Sequence, residues 1–408
     1  MPTRLPTPCT VIPADRYTST AWAELERTHL WPNAWLFVCF SSDIAQPGER
    51  QVLDIGTESA IVIRGDDGQV HAFHNTCPHR GMRLCDNGGP QGRHVRCAYH
   101  HWTWKPDGKL LSWPDGTQFA QPPGDVTLRP VLVEERLGLV WLCFSTPKLS
   151  LDNFLAPIAD TLTRHHLDRW VRSDDITLTV PANWKTSADV SNESYHIRTI
   201  HPEVLPIMND TTATVDALGL HSKTTVHFGQ ASPHMSASAP YDETMRGWQE
   251  SIGLKPPLDP RAPHLRERLQ AAQRMRGEAQ KLPWQDLTDA ELVDNVQFHL
   301  FPNTQINLYA HRVQIYRHRP AGTSPHEMIF DQIAYRPLAE GEKRPPMPPH
   351  KTGDAKTAQQ GAMMAIDLAM VIGLQRGMRS SACDGLRLTT EETAIRHLHE
   401  QLDAWLLA

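Results

Sequence analysis

Long apolar runs are scarce in this 408-residue chain. The longest resemble Leu137–Phe144, far short of the roughly 18–20 residues that span a bilayer, so no membrane segment is expected. Positive charge is also short: Lys+Arg 40 against Asp+Glu 46 leaves a net charge of -6, which argues against a nucleic-acid or membrane-surface partner. Cysteine is sparse and odd in number. Cys9, Cys39, Cys77, Cys85, Cys97, Cys143 and Cys383 do not read as a disulfide framework. The opening residues, MPTRLPTPCTVIPADRY, lack a basic flank followed by an apolar stretch, so no secretion signal is read and a cytoplasmic location is expected. No G-x-G-x-x-G dinucleotide fingerprint and no internal repeat occurs. What is present is an ordinary globular mix, 40% hydrophobic and 21% charged, enough to bury a large core. The length suits roughly two or three domains. Histidine stands out, with 22 against 7 tyrosines.

Residues 17–30 read as a short amphipathic helix with Thr20 as a candidate cap and Trp22, Leu25 and Leu30 near one stripe, ended by Pro32. From about 50 to 145 the pattern changes to short strands. AIVIR and VHAFHN flank Gly65–Gly68, WTW and LLSW flank Lys105–Gly108, and VLVEERLGLVWLCF turns near Arg136–Gly138, which predicts three hairpins in an all-β module. Beyond 150, helical segments (153–168, 183–201, 262–281, 356–380, 390–407) alternate with strands such as DITLTV, TTVHF, TQINLYAH and MIFDQIAY, which predicts an α+β domain. The Pro-rich stretch 340–354 reads as a surface loop.

Two Cys-His pairs form the first constellation. Cys77-Pro-His79 and Cys97-Ala-Tyr-His100 give C-x-H-x17-C-x2-H, each pair in a loop just after a strand. Thiolates and imidazoles from two loops could close one zinc site. Yet zinc knuckles commonly put both cysteines in one loop and both histidines in another. One of each per loop suits a two-iron, two-sulfide cluster, with two thiolates on one iron and two imidazoles on the other. Neutral imidazoles in place of thiolates raise the potential of such a cluster, making it an electron relay.

The second constellation is Glu193, His196 and His201 in NWKTSADVSNESYHIRTIHP, at i, i+3 and i+8. On a regular helix all three share one broad face, with loosening expected near Ile200 ahead of Pro202. From spacing alone, a polar helix face with two incidental histidines is the better reading. Far along the chain, MMAIDLAMVIGL carries one charge, Asp367, in an apolar run. A buried carboxylate there costs several kcal/mol unless paired, protonated or bound to metal. Two histidines and one carboxylate make the facial triad of non-haem Fe(II) oxygenases. The structural alternative pairs Asp367 with Arg376 or Arg379.

These segments resemble the α subunits of Rieske non-haem iron oxygenases, the aromatic-ring-hydroxylating dioxygenase family. CPHRG at Cys77–Gly81 and CAYHHWTWKPDGKL at Cys97–Leu110 are similar to the Rieske boxes, with His101 where the family usually has Gly. Asn183, Trp184, Lys185, Asp189, Glu193, Tyr195, His196, His201 and Pro202 match the mononuclear-iron box, although Val190 replaces a common Asn. FPN at Phe301–Asn303 and QRGMRS at Gln375–Ser380 add landmarks, the latter about eight residues after Asp367. The resemblance covers nearly the whole chain, from about residue 20 to 405.

The resemblance implies an α+β protein: an N-terminal helical segment (1–35), an all-β Rieske [2Fe-2S] domain (36–147) and a catalytic domain (148–408) of helix-grip (Bet v 1-like, SRPBCC) fold. Cys77, His79, Cys97 and His100 would hold the [2Fe-2S] cluster, and His196, His201 and Asp367 the mononuclear Fe(II). Glu193 would link the cluster of one subunit to the iron of the next, through His100 and His196, in a homotrimer or an α3β3 assembly with a small subunit. The implied activity is that of a terminal oxygenase. O2 and a small organic substrate, aromatic as in the family's name, would be its reactants, the outcome being dihydroxylation, monohydroxylation or oxidative demethylation. Electrons from NAD(P)H would arrive only through a separate reductase, with or without a ferredoxin. A Rieske-type electron carrier without oxygenase activity is the alternative, and the length beyond residue 150 argues against it.

Overall fold

The computed structural model describes residues 11–86, 92–114, 119, 125–235, 246–250, 252, 264–355 and 361–407. Expectations that fall on Cys9, on 262–263 and on 356–360 lie outside them. The described chain opens with Val11–Pro13 paired antiparallel to Gly385–Arg387, tying the start of the molecule to its C-terminal region. Helical turns at Asp15–Thr18 and Thr20–Leu25 run into a π-helical turn at Glu26–Leu30. The cap is Ser19 and not Thr20: the Ala21 amide donates to Ser19 Oγ at 3.1 Å. Trp22 and Leu30 are buried as the stripe requires.

Three small antiparallel sheets follow. Leu139–Cys143 lies between Leu36–Phe40 and Leu132–Arg136. Glu58–Arg64 lies between Arg50–Ile55 and Val70–His74. Thr103–Trp104 lies between Val95–Arg96 and Leu110–Ser112. All three predicted hairpins are present, turning at residues with positive φ, among them Gly68, Gly108 and Gly138. At Gly108 (φ 80°) a Cβ would sit 2.4 Å from the Phe73 ring, so that turn needs glycine twice over.

The rest of the chain is built on one eight-stranded sheet. Its order is Thr214–Leu218, His221–Val226, Asn295–Leu300, Thr304–Tyr309, Arg312–Pro320, Met328–Pro337, Trp170–Val180 and Lys351–Asp354. Every pairing is antiparallel except the last. Lys351–Asp354 thus turns the end of the expected 340–354 loop into a parallel edge strand. Two short helices, Leu151–Leu155 and Ala159–Arg164, replace the single one expected over 153–168, and helices α1 (Trp184–Ser191), α2 (Leu265–Ala279), α3 (Ala362–Met378) and α4 (Thr393–Leu406) follow.

Period-two alternation sorts the sheet's side chains. Ile176, Leu178, Val180, Met328 and Phe330 join Trp184, Leu368, Val371 and Leu398 in one core, whereas Ile333 and Tyr335 join Phe298, Ile306, Ile315 and Trp141 in another. Both cores include residues of the β-rich module, so the two parts share their packing. A long helix laid on an antiparallel sheet is the arrangement the helix-grip reading expects.

Candidate functional site

The two Cys-His loops have the same backbone frame. In the first, Cys77 N–H donates to Met82 O (2.8 Å) and Gly81 N–H to Cys77 O (2.9 Å); in the second, Cys97 N–H donates to Trp102 O (2.9 Å) and His101 N–H to Cys97 O (3.1 Å). Gly81 has φ 75° and His101 φ 59°. His101 therefore occupies the left-handed seat that Gly81 fills in the other loop, and it is exposed. His100, one residue earlier, meets His79 edge-on at 4.7 Å, and His79 lies flat on Trp102 at 4.9 Å. Cys77 and Cys97 are buried and unoxidised. Burial, and after it the neighbouring Cys97 thiol, raises the Cys77 thiol above its ordinary pKa, against backbone N–H groups that lower it. His100 Nδ1 is buried with no hydrogen-bond partner among the described residues. Two facing thiols, two adjoining imidazoles and an orphaned ring nitrogen form a donor set that fits a [2Fe-2S] cluster.

The second constellation departs from one continuous helix. Helix α1 ends at Ser191, Asn192 leaves helical geometry (φ -102°, ψ 12°), and only Ile197–Ile200 is helical again before His201 (φ -126°, ψ 50°). The sheet bonds to the chain at this break: Gln297 Nε2–H donates to Ser191 O at 2.8 Å and Asn192 Nδ2–H to His299 Nδ1 at 3.0 Å. The helical-wheel angles therefore do not apply, although the loosening before Pro202 does occur.

The break brings Glu193, His196, His201 and Asp367 together. His201 Nε2 is 2.6 Å and His196 Nε2 4.0 Å from Asp367 Oδ1. One ligand atom from each of these three residues lies within 4.8 Å of the others. The opposite ring nitrogens are occupied by carboxylates. His196 Nδ1 is hydrogen-bonded to Glu193 Oε1, and His201 Nδ1 lies 3.4 Å from Glu203 Oε1. Such outer partners fix the tautomer and turn each Nε2 toward a shared point. The hydrogen bond to Asp367 raises the pKa of His201. Asp367 is half-buried, with its side chain 23% exposed. Its ion-pair partners among the described residues are the two imidazoles, not Arg376 or Arg379. The donors suit a divalent metal with open positions.

Glu193 uses its second oxygen locally, because His196 N–H donates to Oε2 at 3.0 Å. Asp189 is engaged away from the triad: Tyr17 O–H donates to it at 2.5 Å and His399 Nε2 lies 3.3 Å away. Tyr195 is exposed, with the Arg198 guanidinium 5.0 Å from its ring centre.

Beside the triad opens a cavity of about 480 Å³ whose wall includes Glu193, Ile197, Glu203 and Met363. Phe228 and Trp248 stack within it (5.7 Å, 12°), and Tyr309 meets Phe228 edge-on at 6.2 Å. Arg312 also lines it, and burial lowers the neighbouring His311 to about 3, so that imidazole is neutral. Ile207 and Met208 line the cavity, whereas Leu205, Leu218 and Leu220 do not. Asn295 and Gln297 were missed. Their signal was polar residues at i and i+2 in the apolar strand DNVQFHL, which puts both on one face.

Comparison with known proteins follows the same division. Residues 34–123 match the Rieske [2Fe-2S] domain, and residues 167–408 match the ring hydroxylating alpha subunit (catalytic domain). The chain is 26% identical over 371 residues to the glycine betaine monooxygenase oxygenase subunit of Chromohalobacter salexigens, covering 91% of this chain and 80% of that one. It is 30% identical over 230 residues to the carnitine monooxygenase oxygenase subunit of Escherichia coli, covering 54% of this chain and 59% of that one. Its fold is similar to that of the quaternary ammonium Rieske monooxygenase CntA in complex with L-carnitine, with a TM-score of 0.71, 18% identity and 99% of each chain covered. The chain belongs to the ring-hydroxylating α subunits of the Rieske non-haem iron oxygenases, terminal oxygenases that join a [2Fe-2S] cluster to a mononuclear iron.

Proposed function

We propose that this oxygenase hydroxylates a methyl carbon next to the nitrogen of a small quaternary ammonium compound, leading to oxidative demethylation. The observation that carries this reading is the aromatic wall of Phe228, Trp248 and Tyr309 in the cavity beside the triad. Aromatic faces hold a quaternary ammonium through cation–π attraction, on the order of 2 kcal/mol when it is desolvated. Glu203 adds negative charge to the same wall, and Arg312 suits a carboxylate at the other end of the substrate. The names of the betaine and carnitine relatives support the same substrate class. An aromatic ring is the second reading, favoured by the same stacked lining.

In this reading Cys77, His79, Cys97 and His100 hold the cluster, and His196, His201 and Asp367 hold the iron. Bound there, the cluster and the iron would supply O2 activation, with electrons from NAD(P)H delivered by a separate reductase and, where present, a ferredoxin. Glu193 orients His196 and provides the polar route by which a neighbouring subunit's cluster reaches the iron, which requires a head-to-tail homotrimer, alone or with a small subunit. The working unit is cytoplasmic, where its reductant is, and its domains divide at about residues 35 and 147.

The test is product analysis with a chemically reduced, iron-loaded enzyme and O2. Glycine betaine, carnitine and γ-butyrobetaine form one arm and single-ring aromatic compounds the other. Formaldehyde release in the first arm, one per substrate consumed, is expected. Ring hydroxylation with no demethylation would replace this reading with the second.

A further inference from the structure

Glu193 and His196 sit in a segment that no helix holds, yet both must keep their aim. The strand Asn295–Leu300 supplies the hold. Gln297 and His299, two residues apart, share one face of that strand. Gln297 Nε2–H donates to Ser191 O (2.8 Å), the last residue of α1, and His299 Nδ1 accepts from Asn192 Nδ2–H (3.0 Å), the residue before Glu193. His299 is fully buried, and burial lowers it to about 4, so its ring is neutral. Its Nε2–H donates to Pro302 O at 3.1 Å, which leaves Nδ1 as the acceptor that the Asn192 amide needs. Asn192 is itself buried, and its Oδ1 has no partner among the described residues. Asn192 also lines a polar cavity of about 270 Å³ whose wall includes Glu193 and Ser194. Glu193 and Ser194 therefore form part of the wall of both cavities, and the two bonds from the strand end where this partition begins.

We propose that Gln297 and His299 are positioning residues that clamp the end of α1 and thereby deliver Glu193 to His196. The proposal rests on the reading of Glu193 as the bridge. Neither residue touches the triad, and neither belongs to the motifs that identify the family.

The experiment compares His299→Leu, His299→Asn, Gln297→Leu and Asn192→Ala holoenzymes with wild type, using Glu193→Ala as the reference for a lost bridge. His299→Asn keeps an acceptor at the Nδ1 position. Asn192→Ala removes the donor while leaving the His299–Pro302 bond, and serves if His299→Leu does not fold. Two readouts are needed: deuterium uptake of the 192–201 segment, and the rate at which O2 reoxidises a dithionite-reduced cluster. His299→Leu, Gln297→Leu and Asn192→Ala should exchange faster in 192–201 and reoxidise roughly tenfold more slowly, at the low end of effects for groups that orient metal ligands. Cluster absorbance and iron content should stay normal, and His299→Asn should recover most of the rate. Wild-type exchange and reoxidation in His299→Leu or Asn192→Ala, whatever their melting temperatures, overturns the clamp. Faster exchange with unchanged reoxidation also overturns it, provided Glu193→Ala is blocked. If Glu193→Ala itself reoxidises normally, the bridge has failed, and exchange in 192–201 alone decides whether the clamp exists.

Discussion

A carboxylate 2.6 Å from one imidazole and 4.0 Å from another, with both outer ring nitrogens held by other acids, is arranged for a metal more than for an ion pair. Asp367→Ala should lower iron from about three to about two per chain while leaving the cluster's absorbance intact, which metal analysis and a visible spectrum check together. A retained third iron would move the role elsewhere. Asp189 is a poor substitute, since Tyr17 and His399 already engage it. Glu193→Gln keeps one acceptor for His196 and Glu193→Ala keeps none, so cluster reoxidation should slow in both, with Ala the slower. Normal single-turnover product from reduced Glu193→Ala would remove the bridge and leave the metal donors standing. At this scale the two Cys-His pairs were legible from their spacing, whereas the Glu193–His201 set, open to a second reading by spacing alone, became legible through its resemblance to the family's iron box. The substrate wall was not, because Phe228, Trp248 and Tyr309 are ordinary aromatics until the fold gathers them. The resemblance picks His100 over His101, and the left-handed seat, which turns the exposed second histidine away from His79, supports that choice.

Elements hold the site through buried polar pairs that cross long stretches of sequence. Lys185 on α1 is fully buried and paired with Glu26 of the N-terminal helical turns, and Trp184 Nε1–H donates to the other Glu26 oxygen at 2.8 Å. Gln375 on α3 donates to Tyr17 O at 3.1 Å, and the Asn183 amide donates to Gln375 Oε1 at 2.8 Å. The N-terminal segment is thus bonded to both helices that carry or precede the triad. Burial lowers the pKa of Lys185, and Glu26 opposes that shift, so removing the carboxylate leaves an ammonium buried without its partner. Glu26→Ala should cost about 3–5 kcal/mol in urea unfolding, and Glu26→Gln less, because an amide still accepts from Trp184. A loss under about 1 kcal/mol would mean that water reaches Lys185 once Glu26 is gone. The hairpins were readable from their turns, since Gly65–Gly68 and Lys105–Gly108 dictate their own geometry. The end of α1 was not. Its stop signal is a strand about a hundred residues downstream, and a local pattern cannot register a clamp from Gln297 and His299.

The whole molecule is joined by charges that neither part could bury alone. Arg317 and Arg319 in the large sheet both grip Asp331, and each reaches a backbone oxygen of the β-rich module: Arg317 to Val38 O at 2.6 Å and Arg319 to Asp54 O at 2.6 Å. Burial opposes this arrangement, but the two guanidiniums outweigh it and hold Asp331 well below the carboxylate range. The catalytic core also holds several neutral imidazoles. His221 and His299 are lowered to about 4 and His318 to about 3, in each case mainly by burial. Each uses its neutral form: His221 accepts from Phe301 N–H at 3.2 Å on Nδ1 while Nε2 faces Phe154 O at 2.7 Å, and His318 Nδ1 lies 2.9 Å from Ser187 Oγ. In the unfolded chain these rings take up a proton near 6.5, whereas in the folded chain they resist it until about pH 4 or lower. Between those values the unfolded state binds more protons, so stability must fall as pH falls. Each ring withdraws on the order of 1 kcal/mol per pH unit across that window. Asp331 acts lower down, its contribution being present above its unfolded pKa and lost below about pH 4. Melting temperature should therefore be nearly flat above pH 7, drop from about pH 6.5 toward 4, and drop again below that. Replacing His221 and His318 with residues that cannot titrate should shrink the first step, with His299 and His311 left to carry the remainder, as His221→Gln/His318→Gln followed by calorimetry from pH 7.5 to 4.5 would show. An unchanged first step in that double variant would place the acid sensitivity in other buried imidazoles, His299 and His311 first among them.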